Sequence, residues 1–227
     1  MKKVVIFGTS SAAALTHFAL THDSSYEIEA FTVDRKYMKN QEFCGLPVIP
    51  FEEVETTYPP GEYRMMVAVF ASRVNKTRAE KYTQAKEKGY ELINYISSQA
   101  IVSPGLEIGD NCFIGEGVIC RPSLKIGNDV IILPGAFLGH DSVIKEHCFI
   151  AARAVVLGAV TVEPYCTIGA NATVLDAVTV ATECIIGAGS VIHENTQEKG
   201  VYRANPPTLL PLSSDRMAKL LFARQHE

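Results

Sequence analysis

Histidine next to a carboxylate is the arrangement in this sequence best suited to acid–base chemistry. His140 lies in the tripeptide Gly139-His140-Asp141. A free imidazole has a pKa of about 6.5, so neutral histidine can take a proton from an attacking nucleophile near neutral pH. A nearby carboxylate can hold the ring in one tautomer, and Asp141 and Glu146 are both candidates for that role. We therefore predict that His140 is a general base.

A six-residue repeat must position this pair. It runs without a gap over residues 100–195, which divide into sixteen hexads. The third position is Val, Ile or Leu in fifteen hexads, the exception being Cys120. An amphipathic helix needs a period of 3.6 residues, so a period of six excludes it. The pattern predicts short strands whose first and third residues point inward and whose fourth residue turns the chain. Three hexads then close one triangular coil of 18 residues, a parallel β-helix.

Residues 18 apart are expected to stack about 4.8 Å apart on successive coils. Gly158 therefore lies one coil above His140, where the missing side chain leaves its N–H open to close approach. Four cysteines share another column, at inward first positions, and are predicted to be buried core residues rather than a metal or disulfide ladder: Cys112, Cys148, Cys166 and Cys184.

The hexads resemble those of the left-handed β-helix of the hexapeptide-repeat acyltransferases, and the left hand is implied by that resemblance. Residues 2–96 are organised differently. Strands are predicted at 3–7, 27–33, 48–49 and 65–70, helices at 12–21 and 75–88, and residues 91–96 lead into the coil. Strands that alternate with helices predict a parallel, doubly wound, Rossmann-like sheet.

Ligands of such sheets bind beyond the carboxyl ends of the strands. A glycine turn and a helix start follow the first strand there, which suits a phosphate group, and Asp34 follows the second strand. A turn glycine and a strand-end cap remain the structural alternatives. The predicted substrate-binding residues are Gly8, Thr9, Ser10, Asp34, Arg35 and Ser72.

The whole chain resembles bacterial nucleotide-sugar acetyltransferases of the bacillosamine and sialic-acid pathways. We expect a nucleotide-sugar domain at 1–97, a β-helix at 98–207 and a helical tail at 208–227. The resemblance implies an acetyl-CoA-dependent N-acetyltransferase, acting on a UDP- or dTDP-linked amino sugar for surface glycan biosynthesis. It also implies a homotrimer without a metal, in which His140 and Asp141 form the catalytic pair and Gly158 donates to the thioester oxygen. The family's Gly-His-Gly-like first turn is replaced here by serines and alanines, so the identity of the nucleotide stays open.

Acetyl-CoA is implied to lie between neighbouring subunits, toward the C-terminal end of the coil. Small corner residues would leave room for the pantetheine arm, and Lys199 and Arg203 could pair with phosphate. The predicted cofactor-binding residues are Gly158, Ala170, Gly187, Ala188, Lys199, Arg203 and Pro206. Residues 213–225 are predicted to form a helix that caps the open coil.

Composition removes several classes of function. The net charge of −4 argues against a nucleic-acid partner, and the apolar runs are too short for membrane insertion, so we expect a cytoplasmic protein. Sugar O-acetylation and a non-catalytic sugar-nucleotide scaffold remain alternatives. A metal-dependent hydratase of the γ-carbonic-anhydrase type needs three converging histidines, whereas the middle of the coil offers only His140 and His147.

Overall fold

The computed structural model describes residues 2–205 and 211–217. Of the helix predicted at 213–225, the structure describes only its start, where residues 214–217 are helical. Residues 206–210, which include Pro206, and residues 218–227 lie outside the described residues.

The N-terminal domain is a five-stranded sheet with helices on both faces. Its strands β1 to β5 are Lys2–Phe7, Tyr26–Val33, Glu42–Phe43, Leu46–Pro50 and Tyr63–Val67. Its helices α1 to α3 are Ser11–His22, Val54–Thr57 and Lys76–Glu87, and short 3-10 turns lie at Arg35–Tyr37 and Phe51–Glu53. The sheet order is β3-β4-β2-β1-β5.

Strand β1 shows how the two faces are built. Its residues alternate between faces, so that Val4 and Ile6 pack in one core with α1, while Val5 and Phe7 pack in the other core with Ala85 of α3. The predicted doubly wound arrangement is therefore confirmed.

One edge of the sheet differs from the prediction of parallel strands only. Strand β3 pairs antiparallel with β4 through a two-residue turn. Cys44 and Gly45 both have positive φ there, 51° and 78°, as a tight hairpin turn of this kind requires. The sequence interpretation missed this hairpin because Cys44 is not one of the residues, such as Asn, Asp or Gly, that typically occupy the first position of such a turn.

The coil forms a triangular prism with three parallel sheets. Face 1 consists of Tyr95–Ile96, Phe113–Ile114, Ile131–Ile132, Phe149–Ile150, Thr167–Ile168, Ile185–Ile186 and Val201–Tyr202. Face 2 consists of Ile101–Val102, Ile119–Cys120, Phe137–Leu138, Val155–Val156, Thr173–Val174 and Val191–Ile192. Face 3 consists of Glu107–Ile108, Lys125–Ile126, Val143–Ile144, Thr161–Val162 and Thr179–Val180. Strands 18 residues apart pair in register, as predicted.

Inside the prism, first and third positions of the hexads form one continuous core. The four stacked cysteines are fully buried there and unpaired by disulfides, as expected. The prediction that the fourth residue of each hexad turns the chain was wrong, however. Positive φ recurs at the sixth position, from Gly105 to Gly189. Glycines at the fourth position instead allow the backbones of successive coils to lie close together. A Cβ on Gly127, for example, would lie 2.7 Å from the backbone nitrogen of Glu146.

A buried polar cluster joins the two domains. Arg78 of α3 and Asp129 of the coil are both 0% exposed, with Nε 3.0 Å from Oδ2. The Nε–H lacks hydrogen-bond alignment, but Nη2 donates to the carbonyls of Asp129 and Cys148 over 2.9 and 3.1 Å. His147 Nδ1 contacts the same Asp129 oxygen at 2.8 Å. His147 is thus a packing residue of this interface.

Candidate active site

We call the turn between face 2 and face 3 the catalytic corner; it comprises residues 139–142, 157–160 and 175–178. Ser142 fixes the spacing of its first two coils. Its buried hydroxyl accepts the Val160 N–H at 3.1 Å and donates to the Leu157 carbonyl at 2.9 Å. Side chains at equivalent positions of these coils therefore sit directly above one another.

His140 and Asp141 meet at this corner. The Nδ1 atom of His140 lies 2.8 Å from Oδ2 of Asp141, and both side chains are 63% exposed. Adjacent side chains can reach each other because Asp141 adopts a left-handed conformation, with φ at 56°. A carboxylate only accepts, so Nδ1 carries the hydrogen and Nε2 is left as the basic atom. Glu146 lies at the next corner of the coil, between face 3 and face 1, so Asp141 is the orienting residue in the structure.

Gly158 lies directly over the free nitrogen. A Cβ at this position would be 2.6 Å from Nε2 of His140 and 3.2 Å from Oδ1 of Asp176. Only glycine therefore lets the imidazole lie against the backbone of the next coil. The predicted stacking of residues 140 and 158 is confirmed.

The Gly158 N–H is not open, contrary to the sequence expectation. It donates to Oδ1 of Asp176 over 2.9 Å. The sequence analysis did not single out Asp176, although the 18-residue rule that pairs His140 with Gly158 leads from Gly158 to Asp176. Another acceptor can take this N–H only when Asp176 releases it.

The predicted pantetheine residues lie at a different corner of the same protomer. Ala170, Gly187 and Ala188 lie between face 1 and face 2, whereas His140 lies between face 2 and face 3. The Gly187 N–H is already used, since it donates to the Tyr202 carbonyl over 2.6 Å. A single chain therefore does not bring these residues to His140.

The predicted phosphate contacts lie near the C-terminal end of the coil. Arg203 lines an open hollow of about 360 Å³ together with Ser190 and Tyr202. Lys199 is 64% exposed and lies 3.3 Å from a Glu198 oxygen.

The nucleotide-binding candidates divide between two faces of the N-terminal sheet. Gly8 has φ at 124°, and a Cβ there would lie 2.8 Å from the Ala68 carbonyl, which explains the glycine structurally. Thr9 lines a hollow of about 110 Å³ beside Phe43. Ser10 is the N-cap of α1 but makes no side-chain cap hydrogen bond.

Asp34 lies on the other face, which differs from the expected single pocket. Lys81 of α3 forms an ion pair with it, and the same ammonium lies 5.4 Å from the ring centres of Phe7 and Phe51. Asp34 is therefore occupied as an acceptor within the domain.

Arg35 and Ser72 also form their contacts with other residues of the N-terminal domain. Arg35 pairs with Glu53, and its N–H donates to Glu52 over 3.0 Å. Ser72 accepts a hydrogen bond from Thr77 at 3.4 Å. Three consecutive residues with positive φ follow Ser72, namely Arg73, Val74 and Asn75.

The described residues contain neither a metal-binding cluster nor a membrane-spanning helix. No group of three or more histidine, cysteine or acidic side chains there is arranged to hold a metal ion, and His140 and His147 lie at separate corners. No helix of residues 2–205 and 211–217 has both the length and the hydropathy needed to cross a membrane.

Family comparisons agree with the coil geometry. The family described as bacterial transferase hexapeptide (six repeats) matches residues 123–158 and 159–194. The hexapeptide repeat of succinyl-transferase matches residues 105–140. Residues 105–194, most of the β-helix, thus match hexapeptide-repeat models of bacterial transferases. No curated protein sequence matches the chain significantly.

Solved structures share both domains of the fold. PerB from Caulobacter crescentus, in complex with CoA and GDP-perosamine, is 24% identical with a TM-score of 0.82, covering 90% of this chain and 95% of that one. The acetyltransferase domain of PglB from Neisseria gonorrhoeae, with acetyl coenzyme A, is 24% identical with a TM-score of 0.80, covering 92% and 99%. WeeI from Acinetobacter baumannii is 16% identical with a TM-score of 0.76, covering 92% and 100%. The predicted fold, an α/β domain followed by a left-handed parallel β-helix, is confirmed.

Proposed function

We propose that this protein is an acetyl-CoA-dependent N-acetyltransferase of a nucleotide-linked amino sugar. The observation that carries the proposal is the imidazole of His140, oriented by Asp141 and lying against the bare backbone of Gly158. The two-domain fold supports it, because PerB, which shares that fold, binds CoA and GDP-perosamine. Using acetyl-CoA and a sugar nucleotide, the enzyme would act in the cytoplasm.

The residues of the catalytic corner suit direct transfer. The sugar nitrogen attacks the thioester carbon while Nε2 of His140 takes one of its protons. Asp141 holds the Nδ1–H and stabilises the imidazolium that forms. When the C–S bond breaks, the imidazolium returns the proton to the departing sulfur, giving the amide and free CoA thiol. No acyl-enzyme is required by this sequence of steps.

The negative charge on the thioester oxygen needs a hydrogen-bond donor during attack. The Gly158 N–H is the proposed donor, and it can act once Asp176 has turned away. Until then the Asp176 carboxylate satisfies this N–H at 2.9 Å.

We also propose that the active form is a homotrimer. Face 2 supports this, because its outward side chains are mostly apolar and are half-buried or exposed; they include Ile101, Ile119, Phe137, Val155 and Val191. The corner with Ala170 and Ala188 borders one edge of face 2, and the catalytic corner borders the other. Copies packed around a three-fold axis would place the first corner of one protomer beside His140 of another, completing the acetyl-CoA site.

The N-terminal domain is proposed to hold the nucleotide. Thr9, Ser10 and the hollow beside Phe43 are better placed for this than Asp34, which would first have to leave Lys81. The candidate nucleotides are UDP, dTDP and, from the PerB complex, GDP.

A thiol-release assay with acetyl-CoA tests the proposal directly. The acceptors are GDP-, UDP- and dTDP-linked 3-amino and 4-amino sugars, with the matching hydroxyl sugars as a parallel set. At least one amino sugar should release thiol, and His140→Ala should lower turnover by about 10² to 10⁴. The control His22→Ala removes an exposed histidine of α1 and should leave turnover unchanged. Release from hydroxyl sugars alone would instead establish O-acetylation.

A further inference from the structure

We propose that Asp176 binds the ammonium group of the acceptor sugar and thereby selects an amine over a hydroxyl. This inference rests on the proposed function and goes further, because it assigns the acceptor group to one residue. Asp176 is exposed, and its carboxylate forms no ion pair with any described residue.

The position of the carboxylate is the first argument. Nε2 of His140 and Oδ1 of Asp176 flank the space where a side chain of residue 158 would begin, at 2.6 and 3.2 Å from that point. Both atoms therefore lie on the same side of the Gly158 backbone and close to each other. A group bound next to them can contact the base and the negative charge together.

A second argument comes from the same backbone arrangement at another corner. The Asp110 N–H donates to Oδ1 of Asn128, again one coil above, over 3.0 Å. Asn128 satisfies that N–H with a neutral amide. The hydrogen bond to Gly158 therefore does not require a charged acceptor, and the charge of Asp176 calls for another role.

Hydrogen-bond counting favours an amine at this site. A primary ammonium has three N–H donors, so it can donate to Asp176 and to His140 together. A hydroxyl has one donor, and if it donates to His140, its lone pairs face the Asp176 carboxylate. The pair of side chains thus attracts one acceptor class and disfavours the other.

The proton balance is complete without another reagent. The bound ammonium gives one proton to Nε2 of His140, which passes it to solvent through its exposed ring and becomes neutral again. The resulting amine attacks the thioester and gives its second proton to Nε2, which delivers it to the sulfur as the C–S bond breaks. Asp176 leaves the Gly158 N–H when it binds the ammonium, and that N–H becomes available to the thioester oxygen.

Steady-state kinetics of Asp176→Asn tests the inference with an amino sugar that the wild-type enzyme accepts. The amide keeps the shape and can still accept from Gly158, as Asn128 does at its own corner. Loss of the charge should raise KM for the amino sugar roughly 10- to 100-fold, the range for a hydrogen bond to a charged group. KM for acetyl-CoA should not change. The matched control Glu194→Gln removes a charge one coil higher in the same column and should leave both values unchanged.

Inhibition provides the second measurement. The same sugar nucleotide with a hydroxyl in place of the amine should inhibit Asp176→Asn at least as strongly as wild type, because the carboxylate no longer faces its lone pairs, and this inhibition also shows that the variant is folded. An unchanged KM for the amino sugar in Asp176→Asn overturns the inference while the proposed function stands. Faster turnover of Asp176→Asn together with a lower KM for acetyl-CoA also overturns it. Such a result would mean that the Asp176 carboxylate only competes with the thioester oxygen for the Gly158 N–H. Failure of wild type to acetylate any amino sugar overturns both proposals.

Discussion

His140 is positioned by contacts on opposite sides of its ring. Asp141 holds Nδ1, and the bare backbone of Gly158 leaves room for Nε2. The sequence predicted this pairing because the type of residue 140 and the 18-residue period are both visible in it. The role of Asp176 was not visible, because nothing in the residue type shows that its carboxylate turns down onto the coil below.

Adding one methyl group tests the fit of the ring. In Gly158→Ala, the new Cβ would lie 2.6 Å from Nε2, so the exposed imidazole must swing away. We expect roughly 100-fold lower turnover, since small misplacements of a catalytic group are costly. The free energy of unfolding should change by less than about 1 kcal/mol, because an exposed side chain moves easily. Thiol release and urea denaturation measure the two effects, and full activity would refute the assigned geometry.

At the scale of elements, α1 and α3 tie the sheet to the coil. Asp23, at the end of α1, accepts the Ser98 N–H at 2.9 Å and the hydroxyls of Tyr95 and Ser97 at 3.0 Å each. On α3, Arg78 enters the coil and meets Asp129. The sequence predicted both helices from their patterns. It could not predict these contacts, because they join residues about 50 to 75 positions apart.

Lowering the pH should weaken the contribution of Asp23 to the stability of the fold. Hydrogen bonds, those from Ser98 first, hold the pKa of Asp23 at about 2, below its usual 3.8. A carboxyl group with a lowered pKa stabilises the fold above its unfolded value and loses that effect as pH falls through its folded value. Asp23→Asn should therefore lower Tm at pH 7, and the difference from wild type should shrink between about pH 4 and pH 2. A difference that is constant with pH would contradict this.

The buried ion pair on α3 should contribute far more to the free energy of unfolding than the partly exposed ion pair on the same helix. Arg78→Ala leaves Asp129 buried without its cation and should cost about 3–5 kcal/mol of unfolding free energy. Lys86→Ala, on the same helix, removes a pair with Asp110 that is partly exposed, and should cost less than about 1 kcal/mol. Urea titration compares the two variants, and equal losses would refute the distinction.

At the scale of the whole molecule, the prism has unequal faces. The N-terminal domain covers part of face 1, where Phe113 and Ile131 are each 4% exposed. The outward strand residues of face 3 are charged or polar except for Val143, while those of face 2 are apolar except for Thr173. The hexad pattern predicted the prism but not this difference, since it depends on where the N-terminal domain docks.

Charge placed on face 2 should separate the proposed trimer. Phe137→Asp lies in the middle of face 2 and should convert a particle of three 24.8 kDa chains into monomers in sedimentation velocity. Acetyl transfer should fall with it, because the acetyl-CoA site would lose its second protomer. Thr161→Asp, at the equivalent strand position of face 3, should keep the mass and the activity. A monomeric wild type with full activity would refute the assembly.

The in-register stacking of strands also constrains how such a chain can change in length. One extra hexad between residues 141 and 158 would carry Gly158 to a different edge of the prism, and His140 would face another part of the backbone. Eighteen extra residues after Asp176 would lengthen the prism by one coil and leave His140, Gly158 and Asp176 aligned. Insertions and deletions compatible with catalysis should therefore consist of whole coils on the C-terminal side of Asp176. Homologues with a longer or shorter β-helix should differ there by multiples of 18 residues.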